Sequence, residues 1–191
     1  MSLQKWIKLS SEVFHENKWW KGVHDRFQMS NGKEGDYFYI KTPGGVLIVA
    51  QDSDGKILMH REYRYLFDKV GLSFPGGGIK LGQSPIEAAT AELAEETGMS
   101  GNLKEVGFFA ANGGLIDETD RVFVALYLKE TSLIEKDETE EFEALRLTID
   151  EVETAIANGE IWNAFDLAGW VIAKPHLKKN SITPRLHHST T

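Results

Sequence analysis

Three glutamates follow a run of three glycines at a spacing that suits chemistry on phosphate groups. The glycines occupy positions 76–78, and the glutamates are Glu92, Glu95 and Glu96. Because a helix has 3.6 residues per turn, side chains three and four positions apart share one face, so these carboxylates predict one acidic stripe. Hard divalent cations bind one or two carboxylates together with water and substrate phosphates. A glycine loop lets a phosphate approach the backbone closely.

A solvated acidic helix face is the ordinary interpretation of such a stripe. Two features argue against it here. No lysine or arginine between positions 83 and 96 offsets the repulsion among the glutamates. Glu95 and Glu96 also lie in the predicted last turn, where the negative end of the helix dipole disfavours a carboxylate. We therefore expect a positive group close to this end of the helix.

The helix that must hold these glutamates has clear boundaries in the sequence. Ser84 is a favourable N-cap, Pro85 suits the first helical position, and Glu87 can complete a capping box with Ser84. Gly98 is typical of the residue that follows a helix. The sequence therefore predicts a helix over residues 85–97, directly after the glycine loop.

The remaining pattern predicts an α+β fold with strands and helices largely segregated. Short strands are predicted first at 19–23, 25–29 and 37–41. Further strands and two closing helices follow, with the strands at 45–50, 56–63, 103–110 and 121–129 and the helices at 149–158 and 163–173. This order favours a layered arrangement over a doubly wound parallel sheet.

Composition narrows the class of protein. The chain has 191 residues, no cysteine and a formal net charge of −8. This length fits one domain with a short extra arm. The negative charge argues against nucleic acid or an anionic membrane as partner, and no apolar run is long enough to predict a membrane span. We expect a cytoplasmic protein whose metal, if it binds one, is held by oxygen or histidine.

Residues 77–99 resemble the Nudix box, G-x5-E-x7-R-E-U-x-E-E-x-G-U, in which U is aliphatic. Every spacing of that pattern is present. The residues at its defined positions that carry the resemblance are Gly77, Gln83, Glu92, Leu93, Glu95, Glu96, Gly98 and Met99. Two positions depart from the pattern, since Gln83 replaces a glutamate and Ala91 replaces the arginine. The two replacements remove opposite charges and so leave no unpaired buried ion.

The resemblance implies a Nudix fold, a mixed β-sheet between α-helices, and a hydrolase that depends on Mg²⁺ or Mn²⁺. It further implies that Glu92, Glu95 and Glu96 bind the metal together with the backbone carbonyl of Gly76. Glu95 and Glu96 are the expected catalytic residues on the helix, and Gly77 is expected to contact substrate.

Other segments resemble the ADP-ribose pyrophosphatase branch of this family. They are residues 31–33, 61–65, 112–118 and 149–164. The resemblance implies hydrolysis of a nucleoside diphosphate derivative, most closely ADP-ribose, to AMP and ribose 5-phosphate. It places substrate contacts at Arg64, Gly114 and Leu115, although Arg64 could instead form a surface salt bridge. Leu72 and Ser73 stand where the branch often has tryptophan and glutamate, so another nucleotide sugar or a nucleoside triphosphate stays open as substrate.

An acidic segment precedes the last predicted helices. In the branch, a glutamate from a mobile loop approaches the metal-bound water, and Glu140 aligns best with it, with Glu138 and Glu141 as alternatives. A solvated charged loop is the competing interpretation. A weakly catalytic module that senses a nucleotide is the competing function, and retention of all three box glutamates argues against it.

The chain divides into three predicted parts. Residues 1–42 form an antiparallel β arm, 43–175 the Nudix hydrolase domain, and 176–191 a polar tail. The arm carries many aromatic residues, including Trp19, Trp20 and Tyr37. Their apolar surface, together with the resemblance, predicts a homodimer in which the arm helps to complete the partner's site. Packing of the arm on its own chain is the alternative.

Overall fold

A computed structural model describes residues 4–131 and 142–178. Its centre is a mixed sheet whose main strands are β4 (Gly45–Gln51), β5 (Ile57–Arg64), β8 (Met99–Ala110), β10 (Thr119–Glu130) and β11 (Phe142–Leu147). The strands lie in the order β11-β5-β4-β10-β8, and only the pair β4 and β10 is parallel. Two short strands, β6 (Lys69–Ser73) and β7 (Gly76–Gly78), pair with β5 and β4.

Helices cover both faces of this sheet. Helix α1 (Pro85–Thr97) packs on one face against alternate residues of β4 such as Val46 and Ile48. Helices α2 (Ile149–Ala157) and α3 (Ala164–Ala173) pack on the other face against Leu47 and Val49. Successive residues of β4 point to opposite faces, and both faces are covered by helices. The strand is therefore buried along its whole length and its sequence is almost entirely apolar. The predicted fold class, a mixed sheet between helices, is confirmed.

A second sheet lies in the N-terminal region. Its strands are β1 (Ile7–Glu16), β2 (Lys21–Gln28) and β3 (Glu34–Lys41), which are antiparallel, and β9 (Ile116–Asp117), which pairs with β3 in parallel. The Tyr37 hydroxyl donates a hydrogen bond to the Gly114 carbonyl (2.9 Å), and the Ile40 amide donates to the Leu115 carbonyl (2.9 Å). The arm is therefore bonded to its own chain at the segment that precedes β10.

Helix α1 has the boundaries that the sequence predicts. The Ser84 side chain accepts a hydrogen bond from the Glu87 amide, and the Glu87 carboxylate accepts one from the Ser84 amide. Gly98 ends the helix in the left-handed region at φ 68°, where a residue without Cβ is favoured. Within the described ranges, 4–131 and 142–178, no helix is long and apolar enough to cross a membrane.

Two predictions about the arm differ from the structure. Strand β1 is absent from the prediction, because all ten of its residues are exposed and its sequence lacks a clear alternation of apolar and polar positions. The predicted strands at 19–23 and 25–29 are a single strand, β2. Its interior pairs with β1 on one side and β3 on the other, so no turn interrupts it at His24.

The capping box of α1 yields a stability prediction. Ser84→Ala should lower the free energy of unfolding by about 1 kcal/mol, because the Glu87 amide loses its acceptor at the helix start. Ser84→Asp should retain most of the stability, since its carboxylate can accept the same bond. Urea unfolding followed by circular dichroism measures both. Equal loss in the two variants would contradict a role for the cap.

Candidate active site

The glycine strand β7 lies between β4 and helix α1, at close range to both. A Cβ on Gly76 would collide with the Val46 carbonyl oxygen, and a Cβ on Gly77 would lie 2.7 Å from the Glu92 carboxylate. The Gly76 amide donates a hydrogen bond to Glu96 Oε2 at 2.9 Å. Two carboxylates of the acidic stripe thus lie against the backbone of the glycine strand. Such close approach is possible only because these positions carry no side chain.

The pairing of β7 with β4 determines where the Gly76 carbonyl faces. The Ile48 amide donates to the Pro75 carbonyl, and the Ile79 amide donates to the Gly44 carbonyl. In an antiparallel pair, alternate residues turn their polar groups to the partner strand, so Gly76 turns its own away from β4. Its amide does so, since it reaches Glu96. Its carbonyl is therefore available to a ligand on that side.

This donor set fits a hard divalent cation. Glu92, Glu95 and Glu96 are half-buried on one side of α1, and the Gly76 carbonyl adds a fourth oxygen donor. Among the residues that the structure describes, no group of three or more acidic or histidine side chains converges on one point. Mg²⁺ needs only one or two protein carboxylates, because water and substrate phosphates complete its coordination. Glu92 and Glu96, both beside the glycine strand, meet that need.

An open pocket of about 500 Å³ adjoins the glycine strand. One wall contains β7 and Arg64, whose guanidinium forms an ion pair with Glu62 and whose Nε has no hydrogen-bond partner. The remaining lining contains small and aromatic residues, two acids and one amide, and consists of Gly44, Gly45, Phe109, Ala110, Ala111, Glu118, Asp120, Asn163, Ala164, Phe165 and Ala168. A guanidinium beside glycine backbone is a suitable environment for phosphate oxygens.

A buried group of charged side chains supports the acidic helix end from behind. His60 Nδ1 lies 3.8 Å from Glu96 Oε2, and His60 Nε2 lies 3.5 Å from Glu62 Oε1. Burial alone would lower the pKa of His60, but the hydrogen bond with Glu62 and the charge of Glu96 raise it above its usual value. A positive group is expected near this helix end from the sequence, and His60 of β5 is the basic residue that lies there.

Asp166 holds the backbone that directly precedes the glycine strand β7. It is fully buried at the start of α3, and its carboxylate accepts a hydrogen bond from the Phe74 amide at 2.8 Å and one from the Ser73 hydroxyl at 3.3 Å. Burial raises the pKa of Asp166 to about 6, although the Phe74 bond and the charge of Arg64 oppose that shift. The bond from Phe74 fixes the backbone just before Pro75 and Gly76.

Asp120 is a pocket-lining carboxyl that is buried and not fully hydrogen-bonded. It begins the buried part of β10 and is only 1% exposed. Its Oδ1 occupies the space that a Cβ on Gly45 would need, and its Oδ2 has no hydrogen-bond partner. Burial, with a smaller contribution from the charge of Glu118, raises the pKa of Asp120 to about 7.

Other predicted site residues lie elsewhere. Gly114 and Leu115 are exposed on the segment bonded to β3 and do not line the pocket. Gln83 Oε1 accepts a hydrogen bond from the Lys80 amide at 3.0 Å, so this residue closes the loop between β7 and α1. The predicted water-positioning glutamate, Glu140, and its alternatives Glu138 and Glu141 lie outside the described residues.

The sequence analysis did not identify His60, Asp120 or Asp166 as site residues. Asp166 is the only charged residue of the helix Ala164–Ala173, whereas His60 and Asp120 lie at the ends of strand segments whose apolar residues are 57–59 and 122–126. A polar side chain at such a position must find a buried partner or a site. That signal was present, but Glu96, Gly45 and Phe74, which lie against these three side chains, come from distant parts of the chain.

The chain is similar in sequence and in fold to several known proteins. The family model described as NUDIX domain matches residues 41–165. The chain is 30% identical over 142 residues to an ADP-ribose pyrophosphatase of Bacillus subtilis (strain 168), covering 72% of this chain and 75% of that protein. It is equally identical over 142 residues to a methanol dehydrogenase activator of Bacillus methanolicus, covering 73% and 77%. A solved structure titled as an ADP compounds hydrolase superposes with a TM-score of 0.80 at 24% identity, over 92% of this chain and 96% of that one.

The environment of Asp120 predicts an unusual dependence of stability on pH. A carboxyl whose pKa is raised in the folded state from 3.8 to about 7 favours folding only when protonated, so its contribution is lost as pH rises through that interval. Asp120→Asn should therefore become more stable than the parent chain as pH rises from 4 to 8, by up to about 4 kcal/mol.

Urea unfolding at several pH values measures this difference. Asp117→Asn, at an exposed position in β9, is the matched control and should follow the parent curve. If the Asp120→Asn and parent curves run parallel between pH 4 and 8, the carboxyl is not destabilised by burial.

Proposed function

The chain belongs to the NUDIX domain family and is a pyrophosphohydrolase, and from that premise we propose that it hydrolyses ADP-ribose to AMP and ribose 5-phosphate with Mg²⁺ or Mn²⁺. The observation that carries the proposal is the placement of Glu92 and Glu96 against a glycine strand that also lines a pocket with Arg64. The name of the Bacillus subtilis relative supports ADP-ribose in particular.

Enzymes of this family use divalent metal ions. In this chain Glu92, Glu95, Glu96 and the Gly76 carbonyl would hold the metal, which when bound neutralises phosphate charge and polarises water. The Gly76 amide holds the Glu96 carboxylate in place through its 2.9 Å hydrogen bond. His60 Nδ1 lies 3.8 Å from the Glu96 carboxylate, whose charge favours protonation of the His60 ring.

Substrate phosphates would lie along the glycine strand. Backbone without side chains at Gly76 and Gly77 allows close approach, and Arg64 supplies fixed donors for phosphate oxygens. The ion pair with Glu62 orients the guanidinium. Glu62 in turn lies 3.5 Å from His60, so Arg64 is connected through Glu62 to the residue beside Glu96. Hydrogen bonds with His60 and Ser73 and the charge of Arg64 outweigh the effect of burial and lower the pKa of Glu62, so it stays ionised.

Hydrolysis requires that a water oxygen bond to one phosphorus while the bridging P–O bond breaks. A carboxylate must take the proton that this water loses. We assign this role to Glu140, with Glu138 and Glu141 as the alternatives, on the resemblance to the ADP-ribose pyrophosphatase branch. Gly114 and Leu115 stay proposed as substrate contacts on the same ground.

Other substrates are separated from ADP-ribose by direct assay. The absence of the branch's tryptophan and glutamate at Leu72 and Ser73 keeps other nucleotide sugars and nucleoside triphosphates as the second candidate class. A panel of ADP-ribose, other nucleoside diphosphate sugars and nucleoside triphosphates, each with Mg²⁺ and with EDTA, tests the assignment. We expect AMP from ADP-ribose only with metal. Faster cleavage of another compound would reassign the substrate.

The metal assignment makes a mutational prediction. Glu95→Gln and Glu96→Gln should each lower kcat by about 100-fold or more, because an amide keeps the side-chain shape but removes the charge. The fold should persist, since the change also relieves repulsion along α1. Steady-state kinetics and circular dichroism measure the two effects.

The matched control is Glu87→Gln on the first turn of the same helix, where the side chain serves only the capping box. It should reduce stability slightly and leave kcat within about twofold. Near-parent turnover in both Glu95→Gln and Glu96→Gln would refute the metal assignment.

We also propose that the protein acts as a homodimer through the arm at residues 1–42. Large apolar side chains are exposed there, among them Trp6, Val13, Phe14 and Trp19. Part of the aromatic surface is already covered within the arm, since Trp6 stacks on Phe27 at 4.4 Å and His24 on Phe38 at 4.2 Å. The exposed remainder is of the kind that a second copy buries in an isologous interface.

This proposal predicts the molar mass in solution. Light scattering should give twice the chain mass, and Val13→Lys combined with Trp19→Lys should give the monomer, because charged side chains would replace apolar contacts. Val171→Lys, at an exposed valine of α3 outside the arm, should leave the dimer intact. A parent chain that is monomeric and fully active at nanomolar concentration would refute the dimer and the prediction that the arm helps to complete the partner's site.

A further inference from the structure

Asp120 combines three properties that do not serve folding. It lines the pocket, it is 1% exposed, and its Oδ2 lacks a hydrogen-bond partner. A buried polar atom without a partner is costly and is rare in folded proteins. The structure also makes specific room for this carboxylate, because a side chain at Gly45 would displace its Oδ1.

The groups around Asp120 limit what its free oxygen can bind. The charge of Glu118 in the same wall repels a diphosphate, whereas a neutral hydroxyl or amino group can hydrogen-bond with the Asp120 carboxyl in either of its protonation states. Sugar hydroxyls and base amino groups are the donors that a nucleoside diphosphate derivative offers. Arg64, which suits the phosphates, lines the same pocket, so one bound molecule can contact both residues.

The rest of the wall favours a sugar over a base. Ala110, Ala111 and Ala168 leave space without offering a stacking surface. Phe109 and Phe165 pack edge-to-face with ring centroids 5.4 Å apart, so their planes are nearly perpendicular and do not form a parallel clamp for a base. A sugar presents C–H groups to the apolar walls and hydroxyls to the carboxyl groups of Asp120 and Glu118.

We propose that Asp120 is a substrate-binding residue whose carboxyl group accepts a hydrogen bond from a sugar hydroxyl of the nucleoside diphosphate derivative. The inference rests on the proposed function for the identity of the substrate class. The hydroxyl belongs either to the nucleoside ribose or to the second sugar, and the experiment distinguishes the two. Burial raises the pKa of Asp120, as expected of a carboxyl that no hydrogen-bond donor of the described residues reaches at Oδ2.

Binding of compounds that resist hydrolysis tests the inference without turnover. The probes, titrated calorimetrically with Mg²⁺, are α,β-methylene ADP-ribose, α,β-methylene ADP, which lacks the second sugar, and the 2′,3′-dideoxyadenosine form of α,β-methylene ADP-ribose. Asp120→Asn should weaken binding of the full analogue by about 10- to 100-fold, the loss typical of one hydrogen bond to a charged group.

One truncated probe should be insensitive to Asp120→Asn. If the second sugar donates the bond, α,β-methylene ADP binds parent and variant alike. If the nucleoside ribose donates the bond, the dideoxy probe binds parent and variant with equal affinity. Equal weakening of all three probes, unchanged binding of the full analogue, or weaker binding of Mg²⁺ alone would overturn the inference.

Two further variants separate recognition from a change in charge or fold. Asp117→Asn removes a nearby exposed carboxylate and should bind all probes as the parent does. Gly45→Ala retains every charge but displaces the Asp120 carboxylate, and it should reproduce the selective loss. The titrations measure binding and not turnover. If the protein cleaves no compound in the panel, the proposed function is refuted, but the effect of Asp120→Asn on binding can still be determined.

Discussion

Close approach of backbone at three glycines is the constraint on which the site depends. Gly76 lies against the Val46 carbonyl, Gly77 against the Glu92 carboxylate, and Gly45 against Asp120. Each contact requires the absence of a Cβ, so the sheet, the helix and the pocket meet at distances that no other residue allows. Glu92 of α1 and Asp120 of β10 are thereby brought against the paired strands β7 and β4, next to the pocket.

Concentrated negative charge has to be offset, and the chain does this with buried partners. His60 stands between Glu62 and Glu96, Arg64 pairs with Glu62, and the Phe74 amide bonds to Asp166. His60 and Asp166 are both buried, so their contacts with Glu96 and with the Phe74 amide are screened little by salt. Surface residues could not have replaced them, because exposed ion pairs contribute little and hold no fixed geometry.

Much of this arrangement is visible in the sequence, and the reasons for the rest are physical. Helix α1 was predictable to the residue, since Ser84 and Gly98 act locally. The fold class followed from the order of apolar segments. Strand β1 gave no signal because neither of its faces is buried, and the roles of His60 and Asp120 depend on neighbours more than ten positions away. Local patterns describe elements well, but they do not specify which polar residues meet in space.

The parallel pairing of β3 with β9 has a consequence for how the chain can vary. Lys41 pairs with Asp117, the Thr42 hydroxyl donates a hydrogen bond to Glu118, and Gly44 adopts φ 97° against the Thr119 carbonyl. The connector at 42–44 is thus fastened along its length and is not a hinge. Insertions there would shift the register that carries Asp120, whereas the turn at Gly32 lies in open space and would accept added residues. Engineered tags or fused domains therefore belong at that turn.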